Sequence, residues 1–383
     1  MPVLTGLIRQ IFDRTFYLAA NPDVAAAGCD ALEHFLDHGL MEGRSPHPAF
    51  DPAFYAALMP AGSASASFLH YLHHGAVDPL DPHPLFDTAH YVAQIEAGTL
   101  SGQLPLLHFL TVGTRAGLSP NPLFDAAYYR RVNRLGNAHP RHPLLHYIET
   151  GWQRGCRTHP LFDPEHYRRV RPDIAAAGVD PLAHYLRHGR HEAASTHELF
   201  DAPYYRTVLA GQQAALDAVD AIGPVIHYAM HAGGVLPSPH PLFHRAFYAR
   251  NHCRSAEDGE RDKGGCPDPF LHFLEHGLPA GHDPHPLFDG AFYRRRYPDV
   301  ASHGDPPFLH FIRHGAREGR APNACFDLTA YRSGQQTVPA HFPGPAHFPD
   351  PAWAGKPRIA MARATGSSRS RRAADAGVPT GSR

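Results

Sequence analysis

The sequence predicts an all-α protein, an α-solenoid of eight helical-hairpin repeats with proline-rich links and a disordered C-terminal tail. Three observations predict it: a period of about 38 residues, two short helical segments in each period, and prolines between periods. Each copy opens with a phenylalanine, and these phenylalanines are 38, 36, 38, 38, 38, 43, 45 and 38 residues apart. A fixed period of about 20–50 residues is typical of arrays whose neighbouring units share one core.

The period divides the 383 residues into three segments. Residues 1–11 are an N-terminal lead-in, 12–331 are the tandem repeats, and 332–383 are a Pro-, Ala-, Ser- and Arg-rich tail that we predict to be disordered. Repeats one to eight begin at Phe12, Phe50, Phe86, Phe124, Phe162, Phe200, Phe243 and Phe288, and a partial ninth begins at Phe326.

The first helix of each repeat, helix A, is predicted from its cap. Asp13 stands in the N-cap position, where its carboxylate can accept the free backbone N–H groups of the first turn. Phe12 and Tyr17 flank the cap as a hydrophobic staple. In repeat seven His244 replaces the aspartate, so we expect a weaker helix start there. The equivalent caps are Asp51, Asp87, Asp125, Asp163, Asp201 and Asp289.

The second helix, helix B, has its own start and stop signals. Proline occupies its first position in repeats three to eight, where the missing N–H costs nothing. Gly39 and its equivalents are predicted to end the helix by adopting a positive φ. The link that follows, often His-Pro-Leu-Phe-Asp, is extended by its prolines and delivers the next phenylalanine to the core. We expect partial exposure of its histidines, His47, His83, His159, His240 and His285.

Histidine, with 32 copies, is the residue most suggestive of chemistry. One histidine of helix B recurs in every repeat, as a packing residue would, whereas a catalytic or metal site is usually built once or twice. We predict that it hydrogen-bonds helix B to the adjoining proline link. This set is His34, His70, His108, His146, His184, His227, His272 and His310. A second set lies four residues later, at His38, His74, His188, His231, His276 and His314.

Metal binding is the competing interpretation of these side chains. His184 and His188 are four residues apart, the spacing by which one helical face can hold a metal. Cys253 and Cys266 bracket an insertion and either pair with each other or bind a metal with His252. We nevertheless predict no cofactor, because packing accounts for a histidine that recurs in every repeat. The five scattered cysteines show no disulfide framework, which is typical of a reducing cytosol.

Composition and motifs argue against several function classes. A formal net charge of −1 gives no electrostatic case for nucleic acid. No run approaches the roughly 18 apolar residues needed to cross a bilayer. The sequence has no Gly-rich phosphate loop, nucleophile elbow or His-Glu-x-x-His motif, so we assign no catalytic residue. We expect the chain in the cytoplasm, or at the inner face of the membrane through a partner; the oligomeric state is not indicated.

The assembled unit resembles a bacterial tandem repeat of the form Phe-Asp-x-x-Tyr-Tyr … His-Tyr-Leu-x-His-Gly … Glu-Gly-Arg. The resemblance covers about residues 10–331 and is closest in repeats one, five and eight. Such repeats are found attached to glycosyltransferase and other surface-polysaccharide proteins. The resemblance therefore implies a scaffold for a protein or polysaccharide partner and transfers no catalytic residue. Two alternatives stay open: an accessory region of a glycosyltransferase whose catalytic domain is truncated or missing, and a His-rich metal-binding protein.

Overall fold

A computed structural model of the chain describes residues 2–61, 66–96, 98–136, 141–192, 194–253, 266 and 268–326. These residues form helices and links, with no β-strand beyond three isolated bridge pairs, so the all-α prediction is confirmed for them. The predicted tail, 332–383, and nearly all of the partial ninth repeat lie outside them. The chain divides into two compact parts between Pro279 and Ala280, and repeat eight belongs to the second.

The lead-in contains a helix of its own. It runs over Pro2–Ile11, and Ile8 and Ile11 are almost completely buried. The Phe12 N–H continues its hydrogen bonding by donating to the Ile8 carbonyl at 2.8 Å. The lead-in helix thus joins the core as a capping element, as the ends of repeat arrays commonly require.

Helix A begins at its cap in each repeat. The Asp125 carboxylate, for example, accepts the N–H groups of Ala127 and Tyr128 at 2.8 and 2.9 Å. In repeat seven, His244 Nδ1 accepts the Phe247 N–H at 3.0 Å, so the imidazole supplies the cap bond that we expected to be weak. The A helices run over Arg14–Ala20, Pro52–Leu58, Thr88–Ala93, Ala126–Val132, Pro164–Val170, Ala202–Val208, Arg245–His252 and Gly290–Arg296.

Helix B begins as an α-helix, with proline at its first position in repeats three to eight as predicted. Proline has no backbone N–H, so the first position of the helix carries no donor that needs a partner. The B helices run over Ala31–His34, Ser67–His74, Pro105–His108, Pro143–His146, Pro181–His184, Pro224–His231, Pro269–His272 and Pro307–His310.

In six repeats helix B continues into one π-helical turn, in which each N–H binds the carbonyl five residues earlier. The Leu40 N–H, for example, donates to the Phe35 carbonyl at 2.8 Å. These turns run over Phe35–Gly39, Phe109–Gly113, Tyr147–Gly151, Tyr185–Gly189, Phe273–Gly277 and Phe311–Gly315.

The glycine lies at the end of helix B as predicted, but the predicted positive φ is wrong. Gly39 and its equivalents (Gly75, Gly113, Gly151, Gly189, Gly277 and Gly315) do not have a positive φ. The chain reverses a few residues later, at a second set of glycines with φ between 69° and 75°, namely Gly43, Gly117, Gly155, Gly281 and Gly319.

Additional helices lie between helices A and B. Repeats one, five and eight hold Pro22–Ala27, Pro172–Ala177 and Pro298–His303, each begun by a proline. The insertion of repeat six forms the helix Gln213–Ile222. A single turn, Leu278–Ala280, follows helix B of repeat seven. The longer spacings of the sequence are therefore accommodated between the two helices of a repeat.

Successive repeats are joined through their links. The Asp13 N–H donates to the Pro46 carbonyl at 2.9 Å, and the Asp163 N–H donates to the Thr196 carbonyl at 2.8 Å. Equivalent bonds start at Asp51, Asp87, Asp125, Asp201 and Asp289. Each one ties the beginning of helix A to the link that follows its repeat, so these seven links are held by the repeats that precede them.

Aromatic rings form the core between these links. In repeat two, the Phe50 ring lies 5.4 Å from Tyr55 and 4.8 Å from Phe68. The Phe35 ring of repeat one lies 5.9 Å from the same Phe68, so the core continues from one repeat into the next. Short helices gain little stability alone, and this shared burial is what stabilises them.

Within residues 1–279, side chains three repeats apart also touch. Arg141 of repeat four binds the Asp13 carboxylate of repeat one at 2.8 Å. The Arg187 guanidinium of repeat five lies 4.8 Å from the centre of the Phe54 ring of repeat two. Arg131 of repeat four pairs with Glu275 of repeat seven. In each of these contacts, helix A or its cap in one repeat touches helix B, or the segment just before helix B, of the repeat three positions later in the chain.

Candidate functional site

The recurring histidine of helix B binds the buried tyrosine of helix A in the same repeat. Tyr167 Oη and His184 Nδ1 are 2.8 Å apart, and the tyrosine, not the proline link that we expected, is the partner. The other pairs, at 2.7–3.1 Å, are Tyr17–His34, Tyr55–His70, Tyr91–His108, Tyr129–His146, Tyr205–His227, Tyr248–His272 and Tyr293–His310.

Burial favours the neutral form of the tyrosine, and in three of the pairs that of the histidine as well. Removal from water raises the pKa of Tyr55 to about 12 and raises the pKa of Tyr167 above its ordinary value. Burial also lowers the pKa of His184, His227 and His310. A neutral tyrosine and a neutral imidazole satisfy each other, whereas either one alone would leave a buried polar group without a partner. Leaving such a group unpaired costs about 1–3 kcal/mol.

The glycine that ends helix B makes room for this tyrosine. A Cβ placed on Gly189 would lie well under 3.0 Å from Tyr167 Oη, and a Cβ on Gly39 would meet Tyr17 Oη in the same way. The same clash occurs at Gly113, Gly151, Gly277 and Gly315. Close approach of a side chain, and not backbone conformation, is therefore the reason for glycine at this position.

The link histidines form a second structural set. His159 Nδ1 accepts the N–H of Leu161, two residues later, at 3.1 Å, and Asn121 Oδ1 accepts the Leu123 N–H in the same way at 3.0 Å. The same bond is made by His47, His83, His197, His240, His285 and Asn323. The predicted partial exposure is wrong for His47, His240 and His285, which are buried, while His83 and His159 are half-buried.

The second set of helix-B histidines is exposed. The His231 ring stacks on His227 with centroids 4.4 Å apart, and its Nδ1 lies 2.8 Å from the His227 carbonyl oxygen. The corresponding ring pairs of the other five repeats are 4.6–5.4 Å apart. His38, His74, His188, His231, His276 and His314 therefore form the most regular outward-facing feature of helix B.

The predicted metal candidates fall at two places. The His184 and His188 rings are 5.4 Å apart, but His184 Nδ1 is already bonded to Tyr167, and this pair brings no third ligand. Cys253 and Cys266 are joined as a disulfide, one of the two alternatives that the sequence left open. Their neighbour is His272 and not His252: the ligand atoms of Cys253, Cys266 and His272 all lie within 4.8 Å of one another.

One serine lies in an arrangement that resembles hydrolytic chemistry. His166 Nε2 is 2.9 Å from Ser195 Oγ, and His166 Nδ1 is 3.6 Å from Glu198 Oε1. The second distance is too long for a hydrogen bond. The Ser195 hydroxyl also lies 3.2 Å from the His197 carbonyl oxygen, the turn bond that Ser45 and Ser238 make in other links. Ser195 therefore serves the link, as its equivalents do.

The sequence analysis did not identify the helix-A tyrosines as the partners of the recurring histidines. Each one lies four residues after the helix-A cap. In repeats one, three, four, five and eight it lies 17 residues before its histidine, as with Tyr167 and His184, and in repeat two 15 residues before it. That recurring separation was the available signal. It disappears in repeats six and seven, where insertions place 22 and 24 residues between the two partners.

Comparison with known proteins adds no relative: no protein-family model, curated protein or solved structure matches the chain. Among the described residues, no helix combines the length and apolarity that a membrane crossing requires. Function must therefore be inferred from the chain's own geometry and from the resemblance carried by its repeat.

Proposed function

We propose that residues 12–331 form a non-catalytic α-solenoid scaffold that binds a protein or glycan partner in bacterial surface-polysaccharide biosynthesis. The observation that carries this proposal is the internal use of the recurring polar side chains. In every repeat, the tyrosine and the histidine that were the best candidates for chemistry bind each other in or beside the core. This internal use leaves the exposed side chains for a partner, and repeat arrays commonly bind through such extended surfaces.

The contacts between repeats support the solenoid. In seven repeats the link is bonded to the start of the preceding helix A, and Arg141 of repeat four returns to Asp13 of repeat one. Arg187 and Phe54 repeat this relation one unit further on. Contacts between units three apart are what a superhelix with about three repeats per turn produces, so residues 12–279 would form one with slightly more than two turns.

The exposed histidines of helix B are the surface that we assign to the partner. They recur in six repeats, yet they are exposed and the core does not need them, since repeats three and four have Val112 and Thr150 instead. Imidazole rings can stack on apolar faces and hydrogen-bond to polar groups, which suits sugars and protein side chains alike. The family resemblance favours polysaccharide biosynthesis as the setting, with the chain in the cytoplasm or at the inner face of the membrane.

Affinity purification of the tagged full chain from cross-linked native cells tests this function. We expect enrichment of a polysaccharide-synthesis enzyme or of bound glycan, identified by mass spectrometry and monosaccharide analysis. Changing His38, His74 and His188 to alanine should remove that partner without lowering the melting temperature. The matched control changes three exposed glutamates that are not part of this histidine set, Glu33, Glu96 and Glu165, to alanine.

Three outcomes would contradict the proposal. Hydrolysis of sugar nucleotides by the purified chain, at a rate above that of a heat-unfolded sample, would favour an enzyme. Equal loss of the partner in the glutamate control would show that the contact is not made through the histidine surface. Absence of both glycan and polysaccharide-synthesis proteins from the purified material would remove the biosynthetic setting.

A further inference from the structure

Repeat seven contains a group of side chains that no other repeat combines. Cys253 follows helix A as its C-cap residue, Cys266 lies just before helix B, and His272 closes the α-helical part of helix B. Their ligand atoms lie within 4.8 Å of one another, and each residue is half-buried. Among the described residues this is the one group of three such side chains close enough to share an ion.

Both sides of the group are held in place by the fold. The Cys253 N–H donates to the Ala249 carbonyl at 2.9 Å, which anchors the first sulfur to helix A. Two residues after Cys266, the buried Asp268 accepts the N–H groups of Phe270 and Leu271 at 2.9 Å. Its carboxylate also binds Arg245 at 2.8 Å and Tyr228 at 3.1 Å. The position of the second sulfur is thus fixed by the start of helix B.

The histidine of the group is oriented by the Tyr–His pair. Tyr248 Oη lies 2.9 Å from His272 Nδ1, so coordination would use Nε2. A metal-binding histidine is usually oriented by donating its other ring N–H to an acceptor, and Tyr248 Oη would accept from Nδ1 in this way. In the seven other repeats the same pair has no two cysteines beside it, so repeat seven alone adds thiols to a ring that is already positioned.

We propose that Cys253, Cys266 and His272, with both thiols reduced, bind one Zn²⁺ ion. Two thiolates and one imidazole form a ligand set that suits zinc in tetrahedral geometry, with the fourth position taken by water. The disulfide seen between the same sulfurs is the alternative use of the two cysteines, and a chain holds one or the other. Either bond joins the end of helix A to the start of helix B in repeat seven. This inference does not depend on the proposed scaffold function.

Titration of the reduced full chain with Co²⁺ and Zn²⁺ tests the site. We expect one Co²⁺ per chain with the thiolate-to-metal charge-transfer absorption and the visible bands of a tetrahedral ion, both displaced by Zn²⁺. Cys253→Ser and Cys266→Ser should each reduce the charge-transfer absorption by about half and weaken binding by at least about tenfold, and His272→Asn should weaken binding by a similar factor. Zn²⁺ should also raise the melting temperature of the reduced chain.

Matched variants distinguish metal binding at this site from metal binding by the many other histidines. His310→Asn removes the equivalent helix-B histidine from repeat eight, where it should cost stability and leave the Co²⁺ spectrum unchanged. Cys156→Ser and Cys325→Ser remove thiols outside the group and should also leave it unchanged. Tight Co²⁺ binding without thiolate absorption, or unchanged binding after both Cys253 and Cys266 are replaced, would overturn the proposal. So would failure of the fully reduced chain to bind either ion.

Discussion

At the residue scale, this protein uses neutral histidine as a hydrogen-bonding group at defined turns. In helix B the ring nitrogen Nδ1 binds a buried tyrosine, and in the links it accepts a backbone N–H two residues later. Asn121 and Asn323 make the same link bond with a side-chain amide oxygen. An imidazole that accepts at Nδ1 resembles asparagine in an Asx turn. The abundance of histidine is thus largely a consequence of turn and packing geometry.

The close contact between Gly189 and Tyr167 gives a testable prediction at this scale. Gly189→Ala should destabilise the chain by about 1–3 kcal/mol, because the new methyl group meets Tyr167 Oη. Tyr167→Phe removes that oxygen and should itself cost about 1–3 kcal/mol, since His184 Nδ1 then has no tyrosine. The double variant should lose less than the sum of the two, with a coupling of about 0.5–3 kcal/mol, measured by thermal unfolding.

Gly6→Ala supplies the control for that cycle. Gly6 lies inside the helix Pro2–Ile11, and a methyl group added to it would have no neighbour within 4 Å. The variant should gain up to about 1 kcal/mol from the better helix propensity of alanine. Strict additivity of Gly189→Ala and Tyr167→Phe would show that the two groups do not compete for space.

At the element scale, the helices depend on what surrounds their ends. Repeats one, five and eight each hold an ion cluster beside the extra helix. Arg44 binds Asp23 and Glu42 at 2.8 and 2.6 Å in repeat one. In repeat five the arginine comes from a different position, 171, yet it still binds the equivalent acids, Asp173 and Glu192. Repeat eight returns to the first arrangement, with Arg320 between Asp299 and Glu318. The cluster is thus retained although its cation changes place.

The caps of the A helices give a prediction for single elements. Asp125→Ala should destabilise the chain by about 1 kcal/mol, because the N–H groups of Ala127 and Tyr128 lose their acceptor. Asp125→Asn, which keeps an acceptor oxygen, should cost much less. The measurement is chemical denaturation at neutral pH. Asp37→Ala, at an exposed position of the turn Phe35–Gly39, is the control and should change little. Equal effects of the alanine and asparagine variants at position 125 would contradict a capping role.

At the scale of the whole molecule, the links carry the strongest response to pH. Burial lowers the pKa of four link histidines, His47, His83, His159 and His197, to about 4. In the folded chain each of these rings accepts a backbone N–H at Nδ1, a bond that a protonated ring cannot make. The unfolded rings titrate near 6.5. Protons therefore bind the unfolded chain first as the pH falls.

The sign of the pH dependence follows from these directions. Histidine pKa values that are lower in the folded state give stability that is complete above about pH 6.5 and is lost as the pH falls towards 4, by about 1.4 kcal/mol per pH unit for each group. Burial raises the pKa of Asp81 and Asp180 to about 6, which acts in the opposite direction, because their contribution is lost as the pH rises through 6. Four histidines outweigh two aspartates. The melting temperature should therefore fall between pH 7.5 and 5.

Asparagine provides the matched variant, because the chain already uses it in two links. His83→Asn and His159→Asn should keep the turn bond and reduce the slope of melting temperature against pH, with little change at pH 7.5. His73→Asn, at an exposed position of helix B, should leave the slope unchanged. A melting temperature that is flat from pH 7.5 to 5 in the original chain would contradict a role for the link histidines in acid sensitivity.

Much of the fold could be predicted from local signals. These signals include the Asp125 cap and the prolines at the first position of helix B, such as Pro181. They act between residues a few positions apart, so a single repeat is enough to recognise them and the other repeats repeat them. The all-α class follows from them. The partner of His184 could not be read locally, since Tyr167 lies on another helix. Exposure of His47 was wrongly expected for the same reason: burial depends on what the neighbouring repeat places over the link.

Local sequence signals were enough to establish the period, the helical class and the ends of most helices, because caps and prolines act through the backbone next to them. The roles of the recurring side chains came from tertiary packing alone. Packing paired each tyrosine with a histidine, set glycine against the tyrosine oxygen, and placed His272 rather than His252 beside Cys253 and Cys266. These contacts join residues that are distant along the chain, and their geometry depends on how helices A and B pack together.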